Sequence, residues 1–175
     1  HNFGWSSEAV NWSQNDIEAI RVMVVDGVLQ TLDQPLPVGL AMSAHPEKGI
    51  LLRVSDDVEM HEPVVIQYLI SASASLNQPL RTEIHLGMNA RLSVFQDFQS
   101  ETLLPLSVYA YTHIICEEGS ELQFTKLQQE GLEVTHLSEN LIEQAAKSQV
   151  QTFTIALGAK QHRESWQVNL MGAAA

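Results

Sequence analysis

The chain has 175 residues, of which 45% are hydrophobic and 17% are charged, a composition typical of globular domains. Its net charge of −12, with only nine Lys and Arg residues, argues against a nucleic-acid-binding surface, because such surfaces bind phosphates through clustered cations. No run of 18 or more apolar residues predicts a membrane span. The single cysteine, Cys116, cannot form an internal disulfide, which favours a reducing, cytoplasmic compartment.

The N-terminal part predicts a short lead-in segment followed by a core. Residues 1–19 are polar and include Trp5 and Trp12, so we expect them to dock on the core. No signal or transit peptide pattern occurs in them. Residues 20–175 then form one β-rich core, which we expect to be cut short at its C-terminal end.

Short strands are predicted through the first half of the chain. The Asp26-Gly27 pair lies between two apolar runs, which is a strong hairpin signal. Residues 39–43 fit either a short helix or a strand, and residues 71–79 are a loop rich in Ser and Ala. One further short helix is predicted near residues 137–143. The remaining early strands are residues 21–25, 28–30, 49–54 and 63–70, and residues 16–20 fit either a short helical turn or the approach to the first strand.

A strand–turn–strand pattern recurs from the middle of the chain to its end. The offsets between copies are roughly 30, 28 and 26 residues, which lies in the range of solenoid repeats. Each copy has small and polar residues at its turn and alternating apolar residues beside it. The copies are residues 84–94 (IHLGMNARLSV), 114–124 (IICEEGSELQF), 142–152 (IEQAAKSQVQT) and 168–172 (VNLMG).

Alignment of the copies on Ala90, Ser120 and Ser148 superimposes apolar positions. Stacked rungs would bury these positions as continuous ladders, which a single repeat cannot do alone. The predicted fold is therefore all-β, a right-handed parallel β-helix (β-solenoid). An antiparallel sandwich or jelly roll is the alternative, but it does not need the same residue type at each offset. The superimposed sets are Ile84, Ile114 and Ile142; Leu92, Leu122 and Val150; Leu86, Cys116 and Gln144; and Val94, Phe124 and Thr152.

Several segments, in order along most of the chain, resemble the SufB/SufD family of the SUF iron–sulfur cluster assembly system, and the SufD type in particular. The resemblance covers the N-terminal and early core portion of that family. Its motifs are residues 20–27 (IRVMVVDG), 81–87 (RTEIHLG), 94–98 (VFQDF), 122–130 (LQFTKLQQE), 153–165 (FTIALGAKQHRES) and 168–172 (VNLMG).

This resemblance implies a right-handed parallel β-helix and a scaffold role without catalysis. It implies partners of the SufB type and of the SufC type, the ATPase of the complex, while pairing with a second copy stays open. The cluster forms where SufB and SufD meet, so it implies no cofactor in this fragment. The family's cluster-associated His and its SufC-docking region match no residue here, so none is carried over.

The residues themselves give no strong chemical site. Cys116 aligns with Leu86, so we expect it to point into the core as a small apolar side chain, and His113 to lie on the opposite face. A metal site across rungs, for instance from His85 and His113, is a minor alternative to exposed histidines. The segment Lys160 to Glu164 (KQHRE) is predicted to be a solvated turn.

Adjacent carboxylates are also interpreted structurally. Asp56-Asp57 and Glu117-Glu118 fall on turns, where neighbouring side chains diverge and paired acid–base work is disfavoured. We therefore predict no catalytic, cofactor-binding or metal-binding residues and no enzymatic activity.

Two other functions are weighed against the scaffold. A carbohydrate-active or carbohydrate-binding β-helix would need carboxylates, arginines and aromatic residues along one outer face. A cupin-like metal site would need a His-x-His pair, which is absent from the sequence. The outward positions lack the carbohydrate pattern: His85, Arg91, Ser93, Glu121, Gln123, Gln149 and Gln151.

Overall fold

The computed structural model describes residues 18–172, except 31, 33, 34, 73, 75, 77 and 103. The predicted lead-in with Trp5 and Trp12 therefore lies almost entirely outside the described residues. Within them the chain forms twelve strands and no helix. These strands are β1 (Ile20–Val25), β2 (Val28–Leu29), β3 (Leu40–Ala44), β4 (Gly49–Val54), β5 (Val64–Ile70), β6 (Leu80–Leu86), β7 (Arg91–Ser100), β8 (Leu106–Cys116), β9 (Glu121–Gln128), β10 (Val134–Gln144), β11 (Gln149–Ala156) and β12 (Gln161–Leu170).

The strands make two six-stranded sheets that face each other as a β-solenoid of about four turns. One sheet has the order β11-β9-β7-β5-β1-β2, and the other has the order β12-β10-β8-β6-β4-β3. From β4 onwards successive strands alternate between the two sheets, so same-sheet neighbours pair in parallel. Only the pairs β1–β2 and β3–β4, at the N-terminal end of the described chain, are antiparallel. The predicted parallel β-solenoid is confirmed.

The Asp26-Gly27 hairpin is also confirmed. Val24 pairs with Leu29 and Val25 with Val28 across the turn. Asp26 and Gly27 both have positive φ, 50° and 85°, the conformation that a two-residue hairpin turn requires and that Gly adopts most easily.

Two predicted helical segments are strands instead. The helix alternative for residues 39–43 is wrong, because Leu40–Ala44 pairs antiparallel with β4. The helix near residues 137–143 is also wrong, because those residues lie inside β10 and pair with strands on both sides. In β10 the buried positions alternate from Val134 to Ile142, which is the period of a strand and not of a helix.

The register of the sheets reproduces the alignment of the repeats. Ile84 pairs with Ile114 and Ile114 with Ile142, while Leu92 pairs with Leu122 and Leu122 with Val150. Each side chain therefore stacks on its equivalent in the next rung. The buried apolar residues form one continuous cluster between the sheets, and each such side chain contributes about 1.5–3 kcal/mol when fully buried.

The carboxylates predicted to end strands join neighbouring turns. Asp56 accepts a hydrogen bond from the Met88 amide at 2.9 Å, and Asp57 accepts one from the Asn89 side chain at 2.9 Å. Asn89 itself has a φ of 54°, a left-handed conformation that Asn tolerates better than most residues. Side-chain hydrogen bonds thus join these neighbouring turns, as backbone hydrogen bonds join the neighbouring strands.

Gly49 is the glycine that the fold constrains most tightly. Its φ is 120°, and a Cβ atom there would lie 1.9 Å from the Arg81 carbonyl oxygen on the neighbouring strand. We expect Gly49→Ala to lower the free energy of unfolding by at least about 2 kcal/mol, since a strained φ alone costs about 1–3 kcal/mol.

Gly131→Ala is the matched control, because its Cβ would lie 3.2 Å from the nearest atom and its φ is not left-handed. Urea unfolding of both variants should give a loss below about 1 kcal/mol for Gly131→Ala, in the range of a tolerated glycine substitution. Equal losses for the two variants would contradict the close approach of Gly49 to β6.

Candidate functional site in the solenoid interior

The interior changes from apolar to polar along the solenoid axis. In the first sheet one column runs through Val22, Ile66, Gln96, Lys126 and Thr154. In the second sheet two neighbouring columns make the same change. They run Leu80, Ala110, Ser138, Glu164 and Ile50, Thr82, Thr112, Asn140, Trp166. The later rungs therefore bring hydrogen-bonding groups together where the earlier rungs have a plain apolar core.

A small hydrogen-bonded group begins this change. The Tyr68 hydroxyl donates to the Arg81 carbonyl oxygen at 2.9 Å and lies 2.8 Å from the Thr82 hydroxyl oxygen. Gln96 donates from Nε2 to the same Thr82 oxygen at 2.6 Å. Burial raises the pKa of Tyr68, so its hydroxyl remains a neutral donor. The Tyr68 ring stacks on Phe98 at 4.8 Å between centroids.

Lys126 is the centre of the next polar layer. Its side chain is 0% exposed, and the ammonium donates to three oxygens from two other strands. These are Ser138 Oγ at 2.7 Å, Asn140 Oδ1 at 2.8 Å and Glu164 Oε1 at 2.9 Å. All three ammonium hydrogens thus have acceptors, which is what keeping a charge in the interior requires.

Burial of Lys126 and Glu164 costs free energy, because both charged groups lose their contact with water, and their mutual attraction and hydrogen bonds offset part of this cost. Burial lowers the pKa of Lys126, and the neighbouring carboxylate of Glu164 only partly offsets it. For Glu164, burial alone would raise the pKa, but the Lys126 charge and side-chain hydrogen bonds, including one from Thr154, hold it below the usual value. The ion pair therefore links β9 to β12 across the interior.

A second cluster lies beside this pair and contains two histidines. His136 is 0% exposed, and its Nδ1 lies 2.6 Å from Glu130 Oε1, whose side chain is also 0% exposed. Gln128 donates from Nε2 to the other Glu130 oxygen. The His162 ring lies tilted beside His136 with centroids 5.5 Å apart. Burial, and then the interaction with His136, lower the pKa of His162.

Several buried polar atoms of these layers have no hydrogen-bond partner within the described part of the protein. They are Gln96 Oε1, Thr112 Oγ1, Gln128 Oε1, His136 Nε2 and His162 Nε2 in the interior. Buried polar atoms are nearly always paired with protein, water or ligand. The interior of the later rungs is therefore suited to holding water or a bound species.

Cys116 points into the core, as predicted. It is 1% exposed and stacks on Leu86, and burial raises its pKa to about 11. His113 faces outwards on the same strand, which confirms that the two side chains do not share a site. A thiol in this environment is a poor nucleophile and a poor metal ligand, since both roles need the thiolate.

The outward histidines pair with glutamates and not with each other. His85 lies 3.5 Å from Glu117, and His113 lies 3.7 Å from Glu143. In the register of β6 and β8, His85 is opposite Ile115 and His113 is opposite Glu83. The cross-rung pair of His85 and His113 is therefore not formed. No group of three or more His, Cys, Asp or Glu side chains that could hold a metal occurs among the described residues.

The segment predicted as a solvated turn is a strand. His162, Arg163 and Glu164 lie in β12, which begins at Gln161, and pair with His136, Leu137 and Ser138 of β10. Two of the three side chains, His162 and Glu164, contact interior groups, so the prediction of a solvated turn is wrong for them. The Ala159 φ of 70° places the real turn just before Lys160.

Lys126 and His136 were not recognised from the sequence, although a signal existed. Phe124 belongs to the aligned apolar positions, so alternation by two places Lys126 on the same inner face. The same count back from Ile142 places Asn140, Ser138 and His136 inside. The repeat alignment defines which alternate positions face inwards, but the pattern of apolar residues does not show these positions because the residues there are polar.

Comparison with known proteins gives one family. The family model described as "SUF system FeS cluster assembly, SufBD core domain" matches residues 68–175. No curated protein matches the chain significantly. Among the described residues, no helix is long and apolar enough to cross a bilayer.

The buried ion pair gives a prediction for stability. Lys126→Met leaves Glu164 buried without its cation, and removal of one partner of such a pair costs about 3–5 kcal/mol. The double variant Lys126→Met/Glu164→Gln removes both charges, so we expect it to be more stable than the sum of the two single losses predicts, with a coupling of at least about 1 kcal/mol.

Urea unfolding of the four proteins in this cycle measures the coupling. Lys147→Met is the control, because Lys147 makes an exposed ion pair with Glu118 at 3.1 Å, and such pairs contribute only about 0–1 kcal/mol. A Lys126→Met loss as small as that of Lys147→Met would contradict the buried pair.

The buried environment of Cys116 predicts that its thiol reacts slowly with alkylating reagents. In the native protein at pH 8 we expect alkylation by iodoacetamide to be at least about 100-fold slower than in 6 M urea, because the thiolate is both rare and inaccessible. Mass spectrometry at timed intervals measures the two rates. Rapid native alkylation would place the thiol at the surface.

Proposed function

The chain belongs to the SufB/SufD family of the SUF iron–sulfur cluster assembly system, and we propose that it is a non-catalytic scaffold subunit of such an assembly complex. In this role the solenoid acts through protein–protein contact, and the iron–sulfur cluster is the cargo of the complex. Support comes from the family model, which matches residues 68–175, and from the two continuous six-stranded sheets of the solenoid.

The observation that carries this proposal is the state of Cys116. Assembly of a cluster on a protein requires thiolates that iron and sulfide can reach. Cys116 is the only cysteine of the 175 residues, it is 1% exposed, and its pKa is raised to about 11. These residues thus supply architecture and not cluster thiolates, which favours a SufD-like over a SufB-like role.

The partners of the proposed complex are a SufB-type subunit and a SufC-type ATPase, in the cytoplasm. The energy of ATP hydrolysis then comes from the SufC-type subunit, so no catalytic group is needed here. The family match gives a carbohydrate-binding role no support. On the outer face beside the turns, Arg91 pairs with Glu59 and Glu121 at 3.8 and 3.2 Å.

Co-purification of the full-length parent protein with SufB- and SufC-type proteins from the same cell tests the proposal. We expect a stable complex whose iron and sulfide content is the same with wild-type protein and with Cys116→Ala. The substitution removes only one buried sulfur, so the fold should persist, and a thermal melt of the variant verifies this.

Two results would contradict the proposal. A parent protein that stays alone, without either partner, would remove the scaffold role. A wild-type complex that holds iron and sulfide, beside a Cys116→Ala complex that forms but holds neither, would show that the cluster depends on Cys116 and that the chain contributes more than architecture.

A further inference from the structure

We propose that His136 and His162 bind one divalent transition metal ion of the Zn²⁺ class through their Nε2 atoms, inside the later rungs of the solenoid. The two residues are 26 positions apart in sequence but occupy directly paired positions of β10 and β12. Both Nε2 atoms are buried and have no hydrogen-bond partner among the described residues. Two unpaired, buried imidazole nitrogens on directly paired residues are unusual, because each buried polar atom without a partner is costly.

Glu130 gives His136 the environment of a metal ligand. Its carboxylate lies 2.6 Å from Nδ1 of His136 and can accept the Nδ1 proton of the neutral ring, whose Nε2 then presents a lone pair. Histidines that bind metals almost always donate their other ring N–H to a carboxylate or carbonyl in this manner. Gln128 holds the second Glu130 oxygen and fixes the carboxylate in place.

The separation of the two rings fits one shared ion. With metal–nitrogen distances of about 2.0–2.1 Å, two imidazoles on one tetrahedral ion have centroids about 5–6 Å apart. The observed separation is 5.5 Å, with 38° between the ring planes. Phe98 packs edge-on against His136 at 4.8 Å, which restricts the rotation of that ring.

The charge balance of the interior favours a cation at this place. Lys126 and Glu164 neutralise each other through a direct bond of 2.9 Å. Glu130 has no Lys or Arg in contact within the described chain, and His136 is the only ionisable side chain bonded to it. A metal on Nε2 of His136 therefore adds positive charge beside the buried carboxylate, which otherwise has only the interaction with the more distant Lys126.

The donor set indicates the class of metal. Imidazole nitrogen suits Zn²⁺, Fe²⁺, Co²⁺ and Ni²⁺, while Ca²⁺ and Mg²⁺ prefer sets of oxygen ligands. Because the described residues contain no third His, Cys, Asp or Glu in the group, water fills the other coordination positions. The affinity should therefore lie well below that of a four-ligand structural zinc site.

Equilibrium dialysis of the purified chain against Zn²⁺ at pH 7.5, with metal analysis, is the first test. Every protein carries His1→Ala, because an N-terminal His can chelate metal by itself. We expect one bound ion per chain, a loss of at least about 100-fold in affinity for His162→Gln, and a loss of about 10–100-fold for Glu130→Gln, as for other carboxylates that hydrogen-bond a metal-binding histidine. His85→Gln is the matched control, since His85 pairs with Glu117 on the outer face, and it should bind as the parent does.

Imidazole ¹⁵N NMR of the unsubstituted histidines tests the same site without a core variant. Addition of Zn²⁺ should shift Nε2 of His136 and His162 together and leave His85 and His113 unchanged. Mg²⁺ at the same concentration should shift none of them. A chain that binds no Zn²⁺, a His162→Gln variant that binds as the parent does, or shifts confined to the outer histidines would each overturn the proposal.

Discussion

Parallel, in-register stacking is the constraint on which the rest of the structure depends. Each strand from β5 to β10 pairs in parallel with the strand one turn earlier and the strand one turn later, so an inward side chain lies against its equivalents in the neighbouring rungs. A one-residue slip would exchange the inner and outer faces of a whole strand. The ladders of Ile84, Ile114 and Ile142 fix that register with apolar contacts at one end of each strand.

The same stacking lets the interior change its chemistry along the axis. A column that is apolar at Val22 and Ile66 becomes polar at Gln96 and charged at Lys126. The charge is tolerated because the opposite sheet supplies three acceptors at matching heights. A buried polar group that would destabilise a single rung thus finds hydrogen-bond partners on other strands, and the register places those partners within reach. The later rungs therefore bury polar side chains, while the earlier rungs have an apolar core.

Much of the fold could be predicted from the sequence, and the interior site could not. The repeat predicts the solenoid, the pairing of Leu92 with Leu122 and the pairing of Leu86 with Cys116, because recurring apolar residues indicate which positions are buried. The sequence predicts a helix near residues 137–143, where the structure has a strand, because the inward residues Ser138 and Asn140 are polar and hide the alternation of a strand. His136 and His162 become neighbours only through the pairing of β10 with β12, and a search for histidines at local spacing cannot detect that pairing.

The register between β10 and β12 can be tested directly. This register places both histidines and the Lys126 partners on the inner face. Glu139 and Ser165 are outward residues in direct register, about 4.8 Å apart as neighbouring strands require. In a Cys116→Ser background, Glu139→Cys/Ser165→Cys should be bridged rapidly by dibromobimane. Glu139→Cys/Gln167→Cys, displaced by two residues to about 8 Å, should react far more slowly. Equal bridging of the two pairs, or preference for the displaced pair, would contradict the register and the interior site that depends on it.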